Sequence, residues 1–321
     1  MSVSILGAGA FGTALAISLS RNGQPVMLWT RNAEQARDMQ DQRENSLRLA
    51  GHKFPDCIVV TNDISQACTS DTLLLATPMQ TLAEFINEHK ALLNHRKLVA
   101  CCKGVSLQTG LGPVATIKQV YPDATPAILT GPSFANDIAQ GLPTALTIAC
   151  ENGLAARQLQ SDLSTDNLRL YRTTDTIGAE LGGALKNVIA IACGVTIGAG
   201  LGESARAAVM TRGYAEMLRL AIDLSAEEKT LSGLSGFGDL TLTCTSKQSR
   251  NYSYGVSLGR GERFDSNITI EGAKTALAVS NLAKTRKIEM PITHVVASII
   301  NKEASINSAI SALLSRPLKE E

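Results

Sequence analysis

The stretch SILGAGAFGTALA, residues 4–16, places the pattern Gly7-x-Gly9-x-x-Gly12 between a short apolar run and a segment with helical periodicity. In a strand–turn–helix unit, the first glycine permits a tight turn, the second lets the backbone approach a pyrophosphate, and the third lets helix and strand pack closely. The helix N-terminus then presents N–H groups and a positive dipole end to phosphates. A glycine-rich turn without a ligand shares this pattern, but the strand–turn–helix context favours a dinucleotide site at Gly7, Gly9 and Gly12.

The end of the next apolar run distinguishes between two dinucleotides. Sites that prefer NAD usually carry an acidic residue there, which binds the ribose 2′-hydroxyl. This chain has Thr30-Arg31-Asn32 instead, with no acid before Glu34. Since an arginine pairs with a 2′-phosphate and stacks on adenine, Arg31 favours NADPH as the cofactor, with NADH also possible. The alternative is that Arg31 is an ordinary solvated arginine.

Apolar runs alternate with helical stretches through the first half of the chain. The predicted strands cover residues 3–6, 26–29, 58–60, 72–76, 98–102, 128–130 and 146–149. Helices predicted between them include 11–22, 81–93 and 114–120. After about residue 174, long helical patterns take over, at 176–200, 204–223, 272–286, 292–302 and 306–315. We therefore expect an α/β fold, with a Rossmann-like doubly wound parallel sheet over residues 1–175 and an all-α domain over 176–321.

The composition is that of a globular protein, with 44% hydrophobic and 18% charged residues among 321. The formal net charge of +1 provides no basic field for a nucleic acid, so we expect no such partner. A small anionic substrate needs only a local cluster of cations.

The seven cysteines are odd in number and show no CxxC spacing. We interpret them as reduced core residues of a cytoplasmic protein, and we assign no metal site. No signal peptide is apparent. The uncharged stretch at 187–202 is shorter than the roughly 20 apolar residues that a spanning helix needs, so no membrane span is expected.

The segment GGALKNVIAIACGVTIGAG, residues 182–200, carries one charge, on Lys186. Apolar residues occupy every side of the predicted helix, so it has no polar face. An unpaired ammonium group is costly in apolar surroundings. We therefore expect Lys186 to have a charge partner or a functional role.

Two predicted strands end in residues suited to a ligand, because ligands of open α/β sheets lie beyond the carboxyl ends of the strands. Lys103 follows the run LVACC, and Gly131 and Ser133 follow ILT. Lys103 also fits a strand that simply ends in solvent.

The stretch GLSGFGDLTLTCTSKQSRN, residues 233–251, is rich in glycines and hydroxyls and has no strong periodicity. We expect a loop whose N–H groups hold an anion, with Ser249, Arg250 and Asn251 opening the next helix at the same site. A solvated loop before an ordinary capped helix is the alternative.

Combined with a nicotinamide, these groups point to reduction of a ketone on a phosphorylated substrate. The hydride comes from the cofactor, because no side chain can supply it. The developing alkoxide needs a proton donor or an electrostatic partner, and a desolvated lysine offers both. We expect Lys186 to take this part and Asp239 to orient it.

Seven motifs, in this order and spacing, resemble the prokaryotic-type glycerol-3-phosphate dehydrogenase [NAD(P)+] family: GAGAFGTALA (7–16), CKG (102–104), GPSFA (131–135), GGALKNVIAI (182–191), GFGDLTLTCT (236–245), QSRN (248–251) and EG (271–272). The resemblance runs over essentially the whole chain. It implies that dihydroxyacetone phosphate and NAD(P)H are converted to sn-glycerol 3-phosphate, a phospholipid precursor, with Lys186 as the proton donor or acceptor. It also implies a homodimer.

The resemblance further implies the site residues. Those of the substrate pocket are Lys103, Gly131, Ser133, Lys186, Asp239, Ser249, Arg250 and Asn251. Those of the cofactor site, besides the glycines, are Ala10, Phe11, Arg31, Lys103, Ala135, Arg250 and Glu271. The chain departs from the family at Ala10-Phe11, where Ser-Tyr or Ser-Trp is frequent, and at Cys102, where threonine is frequent. The segment 259–271, which ends at Glu271, also looks shorter than is usual in the family.

Three alternatives stay open at this point. Dehydrogenases of the 6-phosphogluconate or 3-hydroxyisobutyrate kind share the architecture, although GFGDLTLTC and QSRN favour the glycerol-phosphate enzyme. A sugar-nucleotide dehydrogenase needs a catalytic thiol, for which Cys244 is the candidate, although a core cysteine there is expected to be inert. A dinucleotide-sensing regulator has no use for Lys186 and Asp239 as a buried proton donor and its partner.

Overall fold

The computed structural model describes residues 2–265 and 269–309. The chain divides into two compact units, here called the first unit (Met1–Ser106 and Leu111–Glu180) and the second unit (Leu107–Gly110 and Leu181–Glu321). The division falls inside a long helix, close to where helical patterns replace strand patterns in the sequence.

The first unit contains an eight-stranded sheet in the order β3-β2-β1-β4-β5-β6-β7-β8. The strands are β1 (Val3–Leu6), β2 (Val26–Trp29), β3 (Ile58–Thr61), β4 (Thr72–Leu75), β5 (Lys97–Ala100), β6 (Pro126–Thr130), β7 (Thr144–Ala149) and β8 (Leu168–Thr173). Strands β1 to β6 are parallel, which confirms the doubly wound sheet.

The last two strands depart from the expected parallel order, because β7 pairs antiparallel with β6 and β8 pairs parallel with β7. The only helix between β6 and β7 is Ala135–Gln140, six residues long. A helix that short rises about 9 Å, whereas a parallel crossover must carry the chain back along the whole strand. The chain therefore turns and enters β7 in the opposite direction.

Helices cover both faces of this sheet. They are α1 (Ala10–Ser20), α2 (Ala33–Gln42), α3 (Ile64–Ala67), α4 (Leu82–His89), α5 (Pro113–Val120), α6 (Ala135–Gln140) and α7 (Gly153–Leu163). Successive residues of a strand point to opposite faces, so Leu74 enters one apolar core while Leu73 and Leu75 enter the other. The strand pattern predicted from apolar runs is explained by this burial on both sides.

Sequence periodicity missed the elements with the weakest apolar signal. Helix α2 buries only Ala36 and Met39. Strand β8 lies at the sheet edge and exposes Arg169, Tyr171 and Arg172. Such elements are held by tertiary contacts more than by a pattern of their own.

Within the residues that the structure describes, the second unit contains helices and no strands, which confirms the all-α expectation. Its helices are α8 (Thr176–Gly198, which begins in the first unit), α9 (Gly202–Asp223), α10 (Glu228–Leu231), α11 (Asp239–Thr245), α12 (Arg250–Gly259), α13 (Glu271–Arg286) and α14 (Pro291–Ile300). The helix predicted at 306–315 extends beyond residue 309, outside the described residues.

Helix α8 has no polar face because it is buried on two sides. Leu185 and Ile189 enter one apolar cluster, and Val188 and Ile191 enter another. By length and composition alone α8 is able to cross a membrane, but 83% of its most apolar segment is buried within the structure. Its hydrophobicity is accounted for by core packing.

The prediction of an anion-holding loop at residues 233–251 is wrong, because most of this stretch is helical. A wide π-helical turn, Leu234–Gly238, leads directly into α11. Leu240 and Cys244 enter the core beside α8, and a Cβ on Gly236 would overlap the carbonyl group of Leu231. The glycine density that suggested a loop serves close packing of a tightly wound segment.

Candidate active site

The glycine turn connects β1 to α1. Gly7 has a φ of +127°, and a Cβ there would lie 2.7 Å from the carbonyl oxygen of Ala76, so the position requires glycine. A Cβ on Gly12 would overlap the carbonyl oxygen of Gly7, whereas at Gly9 no atom lies within 4 Å of the Cβ position. The start of α1 therefore has open space in front of its backbone, with no acidic residue in its first turn. These features fit a pyrophosphate.

The turn also lies where the strand order reverses. Strand β1 sits between β2 and β4, and its last residue Leu6 pairs with Trp29 on one side and Leu75 on the other. In open α/β sheets, ligands bind in the crevice at this reversal. The topology of the first unit thus agrees with a ligand at the glycine turn.

Other residues predicted for the cofactor surround the same edge of the sheet. Ala10 and Phe11 begin α1, Ala135 begins α6, and all three pack partly buried against the same apolar core. Both helices follow parallel strands, so they start at the carboxyl edge. Arg31 follows β2 and is exposed.

Lys103, Gly131 and Ser133 come together after β5 and β6. The Nζ atom of Lys103 donates a hydrogen bond to the carbonyl oxygen of Gly131 at 3.2 Å, and the Ser133 hydroxyl donates to the same oxygen at 3.3 Å. Lys103 is partly buried. The first unit therefore places a cation and a hydroxyl beside each other at its ligand-binding edge.

In the second unit, the side chains of Asp239 and Thr243 hold the ammonium group of Lys186. Its Nζ atom donates to Asp239 Oδ1 at 2.5 Å and to Thr243 Oγ1 at 2.9 Å, and the Thr243 hydroxyl is 3.4 Å from the same carboxylate oxygen. Lys186 is 6% exposed and Asp239 is fully buried. The carboxylate compensates the buried ammonium, and the two hydrogen bonds fix the position of Nζ.

The sequence prediction missed Thr243. Asp239 and Thr243 are separated by four residues and so share one face of α11. That spacing is the signal that identifies Thr243, but it has meaning only if the segment is helical, and the segment was expected to be a loop.

The start of α12 confirms that Ser249, Arg250 and Asn251 open a helix. Ser249 is the N-cap residue, and its hydroxyl accepts a hydrogen bond from the Tyr252 N–H at 3.2 Å. Arg250 is the first residue of the helix and is exposed. The arrangement offers a cationic side chain and the N–H groups of a first helical turn to an anion.

Asn251 connects this helix start to that of α13. Its Oδ1 accepts a hydrogen bond from the Gly272 N–H at 3.0 Å, and a Cβ on Gly272 would lie 2.6 Å from the carbonyl oxygen of Asn187. Glu271, the first residue of α13, therefore lies close to Asn187, which directly follows Lys186. Asn187 is itself buried, with 4% of its surface exposed.

Cys244 does not have the properties of a catalytic thiol. Burial raises the pKa of this thiol well above its usual value, whereas a nucleophilic cysteine needs a lowered pKa. The structure therefore counts against the sugar-nucleotide dehydrogenase alternative. Within residues 2–265 and 269–309, no three His, Cys, Asp or Glu side chains are grouped so as to hold a metal ion.

Two family models match the chain. The model described as NAD-dependent glycerol-3-phosphate dehydrogenase N-terminus matches residues 2–156, and the one described as its C-terminus matches residues 175–311. Together they account for most of both units.

Individual relatives agree with these matches. Glycerol-3-phosphate dehydrogenase [NAD(P)+] of Ruegeria sp. (strain TM1040) is 59% identical, and that of Paracoccus denitrificans (strain Pd 1222) is 56% identical, each with 100% of both chains covered. The crystal structure of glycerol-3-phosphate dehydrogenase from Coxiella burnetii is 35% identical with a TM-score of 0.92, and covers 98% of this chain and 99% of its own. The similarity therefore extends over the full length in both sequence and fold.

Proposed function

Because this chain belongs to the NAD-dependent glycerol-3-phosphate dehydrogenase family, we propose that Lys186 exchanges the proton when dihydroxyacetone phosphate and sn-glycerol 3-phosphate interconvert. The chain is an NAD(P)-dependent oxidoreductase with a small-molecule substrate. The observation that carries the proposal is the buried contact of Lys186 with Asp239 and Thr243.

Lys186 acts at the substrate oxygen. A bound nicotinamide supplies or accepts the hydride at the carbon atom. During reduction, Lys186 Nζ gives a proton to the oxygen as negative charge develops there, and in the reverse direction it takes the proton from the hydroxyl. Asp239 holds Nζ in place and balances its charge.

The first unit binds the dinucleotide, in a domain that the sequence delimits as residues 1–175. The glycines at 7, 9 and 12 cradle the pyrophosphate, with Ala10, Phe11 and Ala135 beside them. The steric fit of the glycine turn supports this assignment. Arg31 binds the 2′-phosphate, so that NADPH is preferred over NADH; its exposure at the end of β2 supports this role.

The substrate phosphate binds to the start of α12 in the second domain, residues 176–321. Arg250 supplies the cation, and Asn251 donates from its amide nitrogen, since its oxygen already accepts from Gly272. Ser249 completes this contact. Lys103, Gly131 and Ser133 are the substrate contacts that we propose within the first domain, and Lys103, Arg250 and Glu271 are also proposed to contact the cofactor.

We place the enzyme in the cytoplasm as a homodimer that supplies sn-glycerol 3-phosphate for phospholipid synthesis. None of the seven cysteines, all of which lie among the described residues, forms a disulfide, and six of them are buried, which supports a reducing compartment.

The decisive experiment is the oxidation of NADPH by purified protein with dihydroxyacetone phosphate, followed by the absorbance of the reduced nicotinamide and repeated with NADH. We expect rapid turnover that is faster with NADPH. Turnover with 6-phosphogluconate or 3-hydroxyisobutyrate and NADP+, but none with dihydroxyacetone phosphate, would assign the site to another substrate.

A further inference from the structure

Asn45 is a fully buried polar residue that the proposed mechanism does not use. It lies in the loop of residues 43–54 between α2 and β3, and its exposure is 0%. Its amide nitrogen donates one hydrogen bond to the carbonyl oxygen of Ala8 at 3.0 Å and another to Thr13 Oγ1 at 2.8 Å. Both N–H groups of this amide are therefore directed at the glycine turn and at the first turns of α1.

The loop is anchored at its own ends as well. The Phe54 N–H donates to the Arg43 carbonyl oxygen at 2.7 Å, and Lys53 pairs with Glu44 at 2.9 Å. The Asn45 oxygen accepts from the Arg48 N–H at 3.2 Å. A loop held in this way presents the Asn45 amide to Ala8 from a fixed position.

Because the peptide unit is planar, the hydrogen bond to the Ala8 carbonyl also fixes the direction of the Gly9 N–H group. In a planar trans peptide, the C=O of one residue and the N–H of the next point in opposite directions. Because Asn45 holds the Ala8 carbonyl, the Gly9 N–H must point away from Asn45. Gly9 is the exposed N-cap residue of α1, with open space at its Cβ position.

We propose that Asn45 is a positioning residue for the dinucleotide: it orients the Ala8–Gly9 peptide so that the Gly9 N–H faces the pyrophosphate. This inference rests on the proposal that the glycine turn binds the cofactor. Asn45 does not touch the cofactor itself. It acts through the backbone, and its loss leaves the Ala8 carbonyl and the Thr13 hydroxyl without their donor.

The test compares Asn45→Ala and Asn45→Asp with wild type. In both variants the two donated hydrogen bonds are lost, and in the second a carboxylate faces the Ala8 carbonyl. We expect the KM and the directly titrated Kd for NADPH to rise about tenfold, with kcat at saturating NADPH and the KM for dihydroxyacetone phosphate changed less than about twofold.

Asn167→Ala is the matched control. Asn167 is also buried, accepts from the Ser18 hydroxyl of the same helix at 2.9 Å, and donates to the Ile138 carbonyl oxygen at 3.3 Å. It lies near the other end of α1. We expect Asn167→Ala to lower the Tm without raising the KM for NADPH. An equal rise in that KM for Asn167→Ala, or none for either Asn45 variant, overturns the inference.

Gly9→Glu separates this inference from the proposed function. Gly9 has an ordinary φ of −73° and free space, so a side chain there does not hinder folding. If the glycine turn binds the pyrophosphate, a carboxylate at this N-cap abolishes NADPH binding. Wild-type affinity of Gly9→Glu for NADPH would refute both the proposed pyrophosphate site at the glycine turn and the inference about Asn45. Loss of binding in Gly9→Glu with wild-type affinity in Asn45→Ala refutes the role of Asn45 alone.

Discussion

Lys186 and Asp239 form an ion pair in a place where stability does not favour one. Both are almost fully buried, and replacing a buried ion pair with apolar side chains of similar volume is often neutral or stabilises a protein by about 1–4 kcal/mol. The exposed pair of Arg286 and Asp223 in the same unit contributes at most ~1 kcal/mol. The cost of burying Lys186 and Asp239 is thus consistent with a catalytic use of the charge.

Substitution of Lys186 tests this use directly. We expect Lys186→Ala to lower kcat by a factor of at least ~10², because the proton donor is lost. Asp239→Asn lowers kcat in the same direction, since the ammonium is no longer oriented or compensated. Steady-state rates with NADPH and dihydroxyacetone phosphate measure both, with Asp223→Asn as the surface control. A near wild-type kcat for Lys186→Ala would remove this residue from the mechanism.

Arg31 is the residue that we propose to distinguish NADPH from NADH. Arg31→Ala should raise the KM for NADPH roughly ten- to a hundredfold, because a charge-assisted contact with the 2′-phosphate is lost, and leave the KM for NADH nearly unchanged. Arg37→Ala is the control, because Arg37 is an exposed arginine on the adjacent helix α2. Equal losses for both cofactors would show that Arg31 does not distinguish them.

At the scale of elements, α8 and α12 approach each other through glycines on both helices. A Cβ on Gly194 or Gly198 would overlap backbone atoms of α12, and a Cβ on Gly255 would overlap the Ile191 carbonyl of α8. The two pairs, Gly194 with Gly198 and Gly255 with Gly259, have the same four-residue spacing. This close packing holds the α12 segment that starts at Arg250 against the helix that carries Lys186.

Gly255→Ala should therefore force the two helices apart. We expect a loss of about 1–3 kcal/mol in stability from overpacking, together with a higher KM for the substrate, because the start of α12 moves. Thermal unfolding followed by circular dichroism, with parallel kinetics, checks both effects. Gly153→Ala is the control, since its Cβ has no neighbour closer than 3.9 Å. Equal stability of the two variants would contradict the packing argument.

The unfolding of the first unit as a whole is linked to pH through Glu180. Folding brings this carboxyl against the start of α5, where it accepts a hydrogen bond from the Val114 N–H. Desolvation raises the pKa of Glu180 from 4.5 to about 7, against the lowering effect of the Val114 hydrogen bond. The nearby Glu151 raises this pKa further, and it is itself paired with Lys118.

The sign of the pH effect follows from proton binding. Between pH 4.5 and about 7, the folded protein keeps a proton on Glu180 that the unfolded chain releases. The free energy of unfolding therefore falls as pH rises through this interval, by at most ~1.4 kcal/mol per pH unit. Glu180→Gln should remove that part of the slope.

Urea unfolding at several pH values measures the slope. The single tryptophan, Trp29, lies buried in the first unit, so its fluorescence reports this unit. Glu151→Gln is the control: it keeps Glu180 able to titrate, and most of the slope should persist. Identical pH dependence of wild type and Glu180→Gln would show that Glu180 is ionised in the folded protein throughout.

Local patterns predicted much of this molecule. The glycine turn, six parallel strands, the helical second unit and the helix opening at Ser249 each depend on residues within one strand, turn or helix, and the structure agrees with them. Helix α11 and strand β8 were missed, because glycine density and exposed edge positions obscure periodicity that only packing explains. With α11 missed, the partnership of Thr243 with Lys186 could not be predicted.

The sequence by itself determined that one charge lies in an apolar helix and that a glycine-rich turn follows the first strand, since spacing within a few residues is enough for both. Only the tertiary structure decided which partners these groups have. Lys186 meets Asp239 and Thr243 from 53 and 57 residues away, and Asn45 meets Ala8 from 37 residues away. Such contacts are selected by the packing of whole elements, where buried polar groups must find partners, and no local pattern records that choice.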